Sequence, residues 1–282
     1  MSRPEYQAPP EFYYNDVEAK KYTRNSRIIE VQCQLSERAL EILALPEGET
    51  AHLLDLGCGS ALSSSAIEEA GHSWVGVDIS PAMLDVASTR DLKSGDLVLG
   101  DLGQGLPFRP GTFDGAISIS ALQWLCNADK KCHNPVHRLK RLFESLYSCL
   151  ARGSRAVFQF YPEDDKQVDL ITTQAMKAGF TGGLLVDYPN STKAKKVYLV
   201  LFTGGDNPVM PKPLMNEHEM SSNNGPSEVS NINRRMKQKP VRGKPPKKSR
   251  EWILAKKERR RRQGKDVRED TKYTGRKRSG RF

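Results

Sequence analysis

The stretch that decides the fold is Leu54-Asp55-Leu56-Gly57-Cys58-Gly59-Ser60-Ala61. A short apolar run ends in Gly-x-Gly and leads into a helical stretch over 61–70. This is the form of the first strand-to-helix turn of a βαβ unit, where glycine lets the backbone turn sharply and a ligand lie against main-chain atoms. Asp78 ends the next apolar run 21 residues after Gly57. A carboxylate there can accept both hydroxyls of a ribose.

Outward from this turn, short apolar runs bounded by Gly, Asp and Pro alternate with helical patterns. The pattern predicts strands over 53–56, 74–78, 96–99, 115–120 and 155–161, and helices over 61–70, 81–89, 135–150 and 164–178, the last stopped by Gly179. Two further β-rich runs, 184–188 and 196–202, are separated only by a short turn containing Pro189 and Asn190, so they should be antiparallel. The expected fold class is α/β, a doubly wound, mostly parallel seven-stranded sheet with a reversed final strand. Before it, Ile28, Val31, Leu35, Leu40 and Leu43 suit an amphipathic helix over 18–45, with room for an interruption. The expected organisation is a helical extension over 1–50, a domain over 51–203, a flexible linker over 204–243 and a basic tail over 244–282.

Charge follows the same division. Of 282 residues, 44 are Lys or Arg and 34 are Asp or Glu, for a net charge of +10. Residues 234–282 hold 22 of the bases and 5 of the acids, a net of +17, which leaves −7 for the rest. No apolar run is long enough for a membrane span and the first residues have no signal-peptide character, so a soluble intracellular protein is expected. Five scattered cysteines suit a reducing compartment. Cys126 with Cys132-His133 lacks the second Cys pair that a tetrahedral zinc site needs, and no metal is expected.

The Gly-x-Gly and acid spacing serves both nicotinamide and S-adenosylmethionine enzymes; three features favour the second. Asp55, two residues before the first glycine, suits the methionine end of a zwitterionic sulfonium cofactor better than a pyrophosphate. Leu62 takes the place of the third glycine of G-x-G-x-x-G, and no basic residue stands near to neutralise phosphates. Asp101 follows the third strand, where an acceptor can read an adenine amino group. The closing antiparallel hairpin points the same way. Singly, the glycines would read as turn residues, Asp78 as a helix cap and Asp101 as a turn residue; their joint order indicates the cofactor site.

The chain resembles class I S-adenosylmethionine-dependent methyltransferases, and within them the eukaryotic family that methylates guanine N7 in 18S ribosomal RNA. The matching segments include Phe12-Tyr13-Tyr14, Lys21-Tyr22-Thr23-Arg24-Asn25-Ser26-Arg27, the Gly57-Cys58-Gly59 turn, Trp74-Val75-Gly76-Val77-Asp78-Ile79-Ser80-Pro81, Gly100-Asp101-Leu102-Gly103-Gln104-Gly105, Ser118-Ile119-Ser120-Ala121-Leu122-Gln123-Trp124, Asp187-Tyr188-Pro189-Asn190-Ser191 and Tyr273-Thr274-Gly275-Arg276-Lys277-Arg278. The family usually has glycine where this chain has Ala61, and alanine fits if its φ is negative. The resemblance adds Cys58, Ile79, Leu102 and Ser118 to the expected cofactor contacts.

Guanine N7 carries no proton and presents a lone pair, so its methylation needs orientation more than a general base. The stretch after the fourth strand has neither an Asn/Asp-Pro-Pro-Tyr/Phe motif nor a cysteine nucleophile. In A-form RNA, N7 faces a deep, narrow groove, so the target base must be unpaired or flipped and stacked on an aromatic ring. Trp124, Tyr14 and Tyr22 are the candidates, with Gln123 as a partner for a base edge. Trp124 suits the core equally well, and Tyr22 with Arg24 could instead close over the cofactor's methionine end.

The basic run from Trp252 to Gly264 could form a helix that binds RNA phosphates, a nuclear localisation signal, or both. The resemblance implies ribosomal RNA in the small-subunit precursor as substrate and, together with the basic run, the nucleus, with the cytoplasm, as location. Strand 96–99 should lie at the sheet edge, and Leu97, Val98 and Leu99 leave it apolar and open to β-augmentation. The resemblance implies that the partner there is the small zinc-binding activator shared by several eukaryotic methyltransferases; the alternative is cover from the chain's own N-terminal helices. The rival functions are a tRNA or small-molecule methyltransferase, or a ribosome-assembly factor whose binding outweighs its catalysis.

Overall fold

The computed structural model describes residues 3–46, 48–130, 133–191, 194–204, 209–215, 250–262 and 267–270. Seven strands form one sheet in the order β3-β2-β1-β4-β5-β7-β6. In chain order they are β1 (His52–Leu56), β2 (Ser73–Asp78), β3 (Gly95–Leu99), β4 (Phe113–Ile119), β5 (Leu150–Phe160), β6 (Thr181–Asp187) and β7 (Lys196–Phe202). β1 to β5 pair in parallel, whereas β7 runs antiparallel between β5 and β6. This is the Rossmann-like methyltransferase order with its reversed final strand.

The helices are α1 (Pro10–Tyr13), α2 (Asp16–Arg24), α3 (Ser26–Leu43), α4 (Ser64–Glu69), α5 (Pro81–Ser88), α6 (Pro135–Cys149), α7 (Asp165–Lys177) and α8 (Arg250–Arg262). The helix expected over 18–45 is broken at Asn25, which ends α2 and caps α3 by accepting from the N–H groups of Arg27 and Ile28. Alternation along β1 sends Leu54 and Leu56 into a core with Leu139, Leu142, Phe143 and Leu146 of α6. Leu53 enters a second core with Leu35, Ala39, Ile42 and Leu43 of α3. The sheet is therefore buried on both faces, and its ligand edge lies at the carboxyl ends of β1, β2 and β4.

Three boundaries differ from expectation by three residues or more; one is β6, which begins at Thr181 and not at Leu184. β5 begins at Leu150, five residues before the expected start, because Gly153 takes a φ of +84° and carries the strand through Arg152 and Ser154, where apolarity lapses. α4 begins at Ser64 and not at Ala61, because the turn keeps Gly57, Gly59 and Ala61 left-handed, with φ of +77°, +54° and +55°.

Part of the segment expected as linker is anchored. Arg38 donates to the carbonyl of Lys212 at 2.9 Å, and Leu214 exchanges bonds with Asp187 and Tyr188. The chain divides into two units, Met1–Asn231 and Ile232–Phe282. In the second, α8 is held to the following segment by Lys257 and Arg261, both bound to Asp270. Cys132 and the Tyr273-to-Arg278 run lie outside the described residues. No helix among the described residues is long and apolar enough to cross a membrane.

Candidate active site

The carboxyl ends of β1, β2 and β4 open into a cavity of about 330 Å³. Its lining includes Asp55, Gly57, Cys58, Gly59, Asp78 and Ile79, continued by Asp101 and Leu102 after β3. Gln123, Trp124, Tyr14 and Tyr22 line it as well. Two expected contacts do not. Ser118 is buried between strands, its hydroxyl donating to the carbonyl of Leu56 at 2.7 Å. Arg24 lines a shallow pocket on the outer face of α2 with Lys20 and Lys21.

The glycine turn is fixed by backbone bonds. Gly57 and Cys58 donate to the carbonyl of Val77 at 2.8 and 3.2 Å, which ties the turn after β1 to the end of β2. Asp78 completes it by accepting from the N–H groups of Gly59 (2.9 Å) and Ser80 (2.8 Å), one on each carboxylate oxygen. Gly57 admits no side chain: a Cβ there would stand 2.3 Å from that of Ala121. Ala61 departs from the expected negative φ; at +55° it holds an L-residue in the left-handed region that glycine would occupy without strain.

The three acids differ in environment. Asp55 is buried; desolvation pushes its carboxyl up to about 7, against a bond from the Ser63 hydroxyl and with a further push from the charge of Asp78. Asp78 is also raised, by burial above all, with its backbone bonds opposing the shift. Asp101 is paired: Arg138 and the Gly103 N–H both bind its Oδ1, at 2.8 and 2.9 Å, leaving Oδ2 for another donor. Burial, and then the charges of Asp55 and Asp78, hold the Cys58 thiol well above its ordinary range, so it remains a thiol and not a nucleophile.

An N-terminal segment that sequence reasoning did not assign to the site covers one side of the cavity, contributing Pro4, Glu5 and Pro10. Arg3 donates to the carbonyls of Tyr161 and Pro162, both at 2.9 Å, and the Ser80 hydroxyl donates to that of Tyr14 at 2.8 Å. Tyr13 and Tyr14 lie with ring centroids 6.0 and 5.8 Å from Trp124, and Tyr14 is edge-on to Tyr22 at 5.9 Å. Burial raises the hydroxyls of Tyr14 and Tyr22, which stay neutral. Tyr161, Ser60, Ser120 and Arg138 also belong to the lining. Of the unassigned residues, only the Pro-rich start offered a signal, and it has no spacing to a partner.

Two buried carboxyls, raised and without a nearby cation, make a poor seat for a pyrophosphate and a good one for a cofactor bearing ammonium and sulfonium charge. The fold and this site define a class I methyltransferase that uses S-adenosylmethionine. Residues 54–158 match a family described as a methyltransferase domain, and residues 201–280 match one described as a methyltransferase involved in Williams-Beuren syndrome. The chain is 59% identical over 280 residues to the 18S rRNA (guanine-N(7))-methyltransferase of Mus musculus, covering 99% of this chain and 98% of that one. It is 52% identical to a Dictyostelium discoideum protein named as a probable enzyme of that kind, and 47% identical to the 18S rRNA (guanine(1575)-N(7))-methyltransferase of Saccharomyces cerevisiae, covering all of each chain in both cases. The chain belongs to the family of 18S rRNA (guanine-N(7))-methyltransferases.

Proposed function

We propose that this protein transfers a methyl group from S-adenosylmethionine to N7 of a guanine in 18S ribosomal RNA, in the small-subunit precursor in the nucleus. The observation that carries this reading is the junction of two environments in one cavity. Asp55, Asp78 and Asp101 stand along the sheet edge, and Tyr14, Tyr22 and Trp124 stand beside them. The cofactor supplies an electrophilic methyl group. Asp78 would hold the ribose hydroxyls, Asp101 Oδ2 the adenine amino group and Asp55 the methionine end, with Gly57, Cys58, Gly59, Ile79 and Leu102 shaping the seat. The aromatic cluster would stack the base and exclude water, which is the whole requirement for an acceptor that has no proton to lose. The names of the relatives support the same substrate.

Two surfaces extend the reading. α8 exposes Lys256, Arg260 and Arg261, and charge of this density suits phosphate contact without sequence readout. Among the described residues β3 pairs only with β2, and Leu99 at its end is 60% exposed, which favours a docking strand from a small zinc-binding activator over cover from α2 and α3. The test is to incubate small-subunit precursors from cells lacking the enzyme with the full chain, activator and labelled cofactor, then cleave the RNA chemically at 7-methylguanine. One labelled guanine is expected. Label on an exocyclic amine, or only on tRNA, would overturn the proposal.

A further inference from the structure

Glu5 carries a buried carboxylate oxygen, Oε2, that has no hydrogen-bond partner, and its side chain lines the cavity. One contact places it near the aromatic end: Asn127, just past the turn that bears Gln123 and Trp124, donates from Nδ2 to the Glu5 carbonyl at 3.1 Å. Tyr14, in the same lining, packs against Trp124 with ring centroids 5.8 Å apart. A second buried acceptor without a partner, Gln123 Oε1, lines the same cavity, while the Gln123 amide nitrogen is committed to the carbonyl of Ser120 at 2.8 Å. A buried acceptor left unpaired is costly, and more so when charged, so the arrangement calls for a ligand that brings donors.

Guanine brings them. The edge remote from N7 presents N1–H and the 2-amino group side by side, matching the fork of a carboxylate. Adenine presents a bare N1 there, which a carboxylate repels. The reaction strengthens the match: the N7 lone pair forms the new N–CH3 bond while the S–CH3 electron pair stays on sulfur, so positive charge passes from the sulfonium to the purine. N1–H becomes a stronger donor as this happens, and a fixed negative charge beside it favours the transition state over the ground state.

We propose that Glu5 is the specificity-determining carboxylate for the acceptor base, accepting from N1–H and the 2-amino group of the target guanine, with Gln123 Oε1 beside it. The inference rests on the reading of the substrate given above. It explains why the N-terminal segment is tied down at Arg3 and Tyr14 on either side of Glu5.

The test uses the full chain with its activator and RNA carrying guanosine or inosine, which lacks the 2-amino group, at the methylated nucleotide. The wild type should methylate inosine about 10-fold more slowly than guanosine. Glu5→Gln, which keeps shape and loses charge, should slow single-turnover methylation of guanosine by about 10- to 100-fold. Glu5→Ala should bring the two bases to within about 2-fold of each other. Cofactor affinity by calorimetry should stay unchanged in both variants. If the variants keep the wild-type preference for guanosine, or if cofactor affinity falls in parallel with rate, the assignment is wrong. If the wild type labels no guanine at all, the substrate reading falls and this inference with it; a wild type that labels guanine beside indifferent Glu5 variants removes the inference alone.

Discussion

Cofactor binding should be proton-linked through Asp55. In the free protein this side chain is 1% exposed, and burial lifts its carboxyl from 3.8 to about 7. Because the folded value lies above the unfolded one, its contribution to stability is fully present below the unfolded value and is lost as pH rises through the folded value. A displacement of about three units makes this loss about 4 kcal/mol between pH 4 and 7. A cationic cofactor reverses the preference, since an ammonium or sulfonium beside Asp55 favours the carboxylate and expels the proton. With a free-state value near 7 and a bound value returned to the ordinary carboxylate range, Asp55 alone should make the dissociation constant about 25-fold weaker at pH 5.5 than at 7.5. At pH 7.5 an α-amino group with its ordinary value of about 7.7–8.0 has lost about a quarter to two-fifths of its protons, which trims the net ratio to about 15- to 19-fold.

Calorimetry in two buffers of different ionisation enthalpy should detect close to one proton released at pH 5.5, falling toward zero as pH rises past 7. S-adenosylhomocysteine, which has the ammonium but no sulfonium, should show the same slope if the ammonium is the partner. Asp55→Asn should lose both the pH dependence and most of the affinity while raising the melting temperature of the free protein at pH 7.5, because a desolvated charge is removed. An affinity that varies less than about 2-fold over this range with no proton release would refute the assignment.

Other substitutions test the frame. Gly57→Ala should cost about 2–4 kcal/mol in chemical denaturation, from a left-handed alanine and from the contact with Ala121; adding Ala121→Gly should recover only the second share. Arg38→Ala should cost about 3–5 kcal/mol, because it strips a bidentate partner (2.9 and 3.2 Å) from Asp187, which is 2% exposed; a loss below about 1 kcal/mol would show that the pair is solvated. Leu99→Lys should leave stability within about 0.5 kcal/mol yet abolish copurification with the activator, and unchanged copurification would place that partner elsewhere.

The sheet was legible because each strand of a doubly wound fold is a short apolar run followed by Gly, Asp or Pro, and the run from Leu54 to Gly59 states that pattern directly. The reversal of β7 was legible from the length of one turn alone. Irregular backbone was not. The pointer at Ala61 is that the family usually has glycine there; the alanine itself carries no such signal, and in the structure its N–H donates to the carbonyl of Cys58 while its methyl group is fully buried. The acids at 55, 78 and 101 could be placed because they follow strands at fixed spacing. Glu5 could not, since it reaches the cavity through Arg3 and a contact with residues more than 150 positions away, which no local pattern encodes.

Strain and unmet polarity gather around one cavity. Of the four non-glycine residues with positive φ among the described residues, Ser120 lines it and Ala61 follows the lining Ser60; the other two are Ala44, which ends α3, and Tyr188, which follows β6. Of the six buried polar side-chain atoms without partners among the described residues, Ser60 Oγ, Gln123 Oε1, Glu5 Oε2 and Arg138 Nε belong to residues of the same lining, beside two carboxyls that burial has raised. A fold selected for stability alone would spread such costs or remove them. Their concentration means that the free enzyme holds a site shaped for charge and donors it does not itself contain. Binding of cofactor and base should therefore add to folding stability beyond the area they bury.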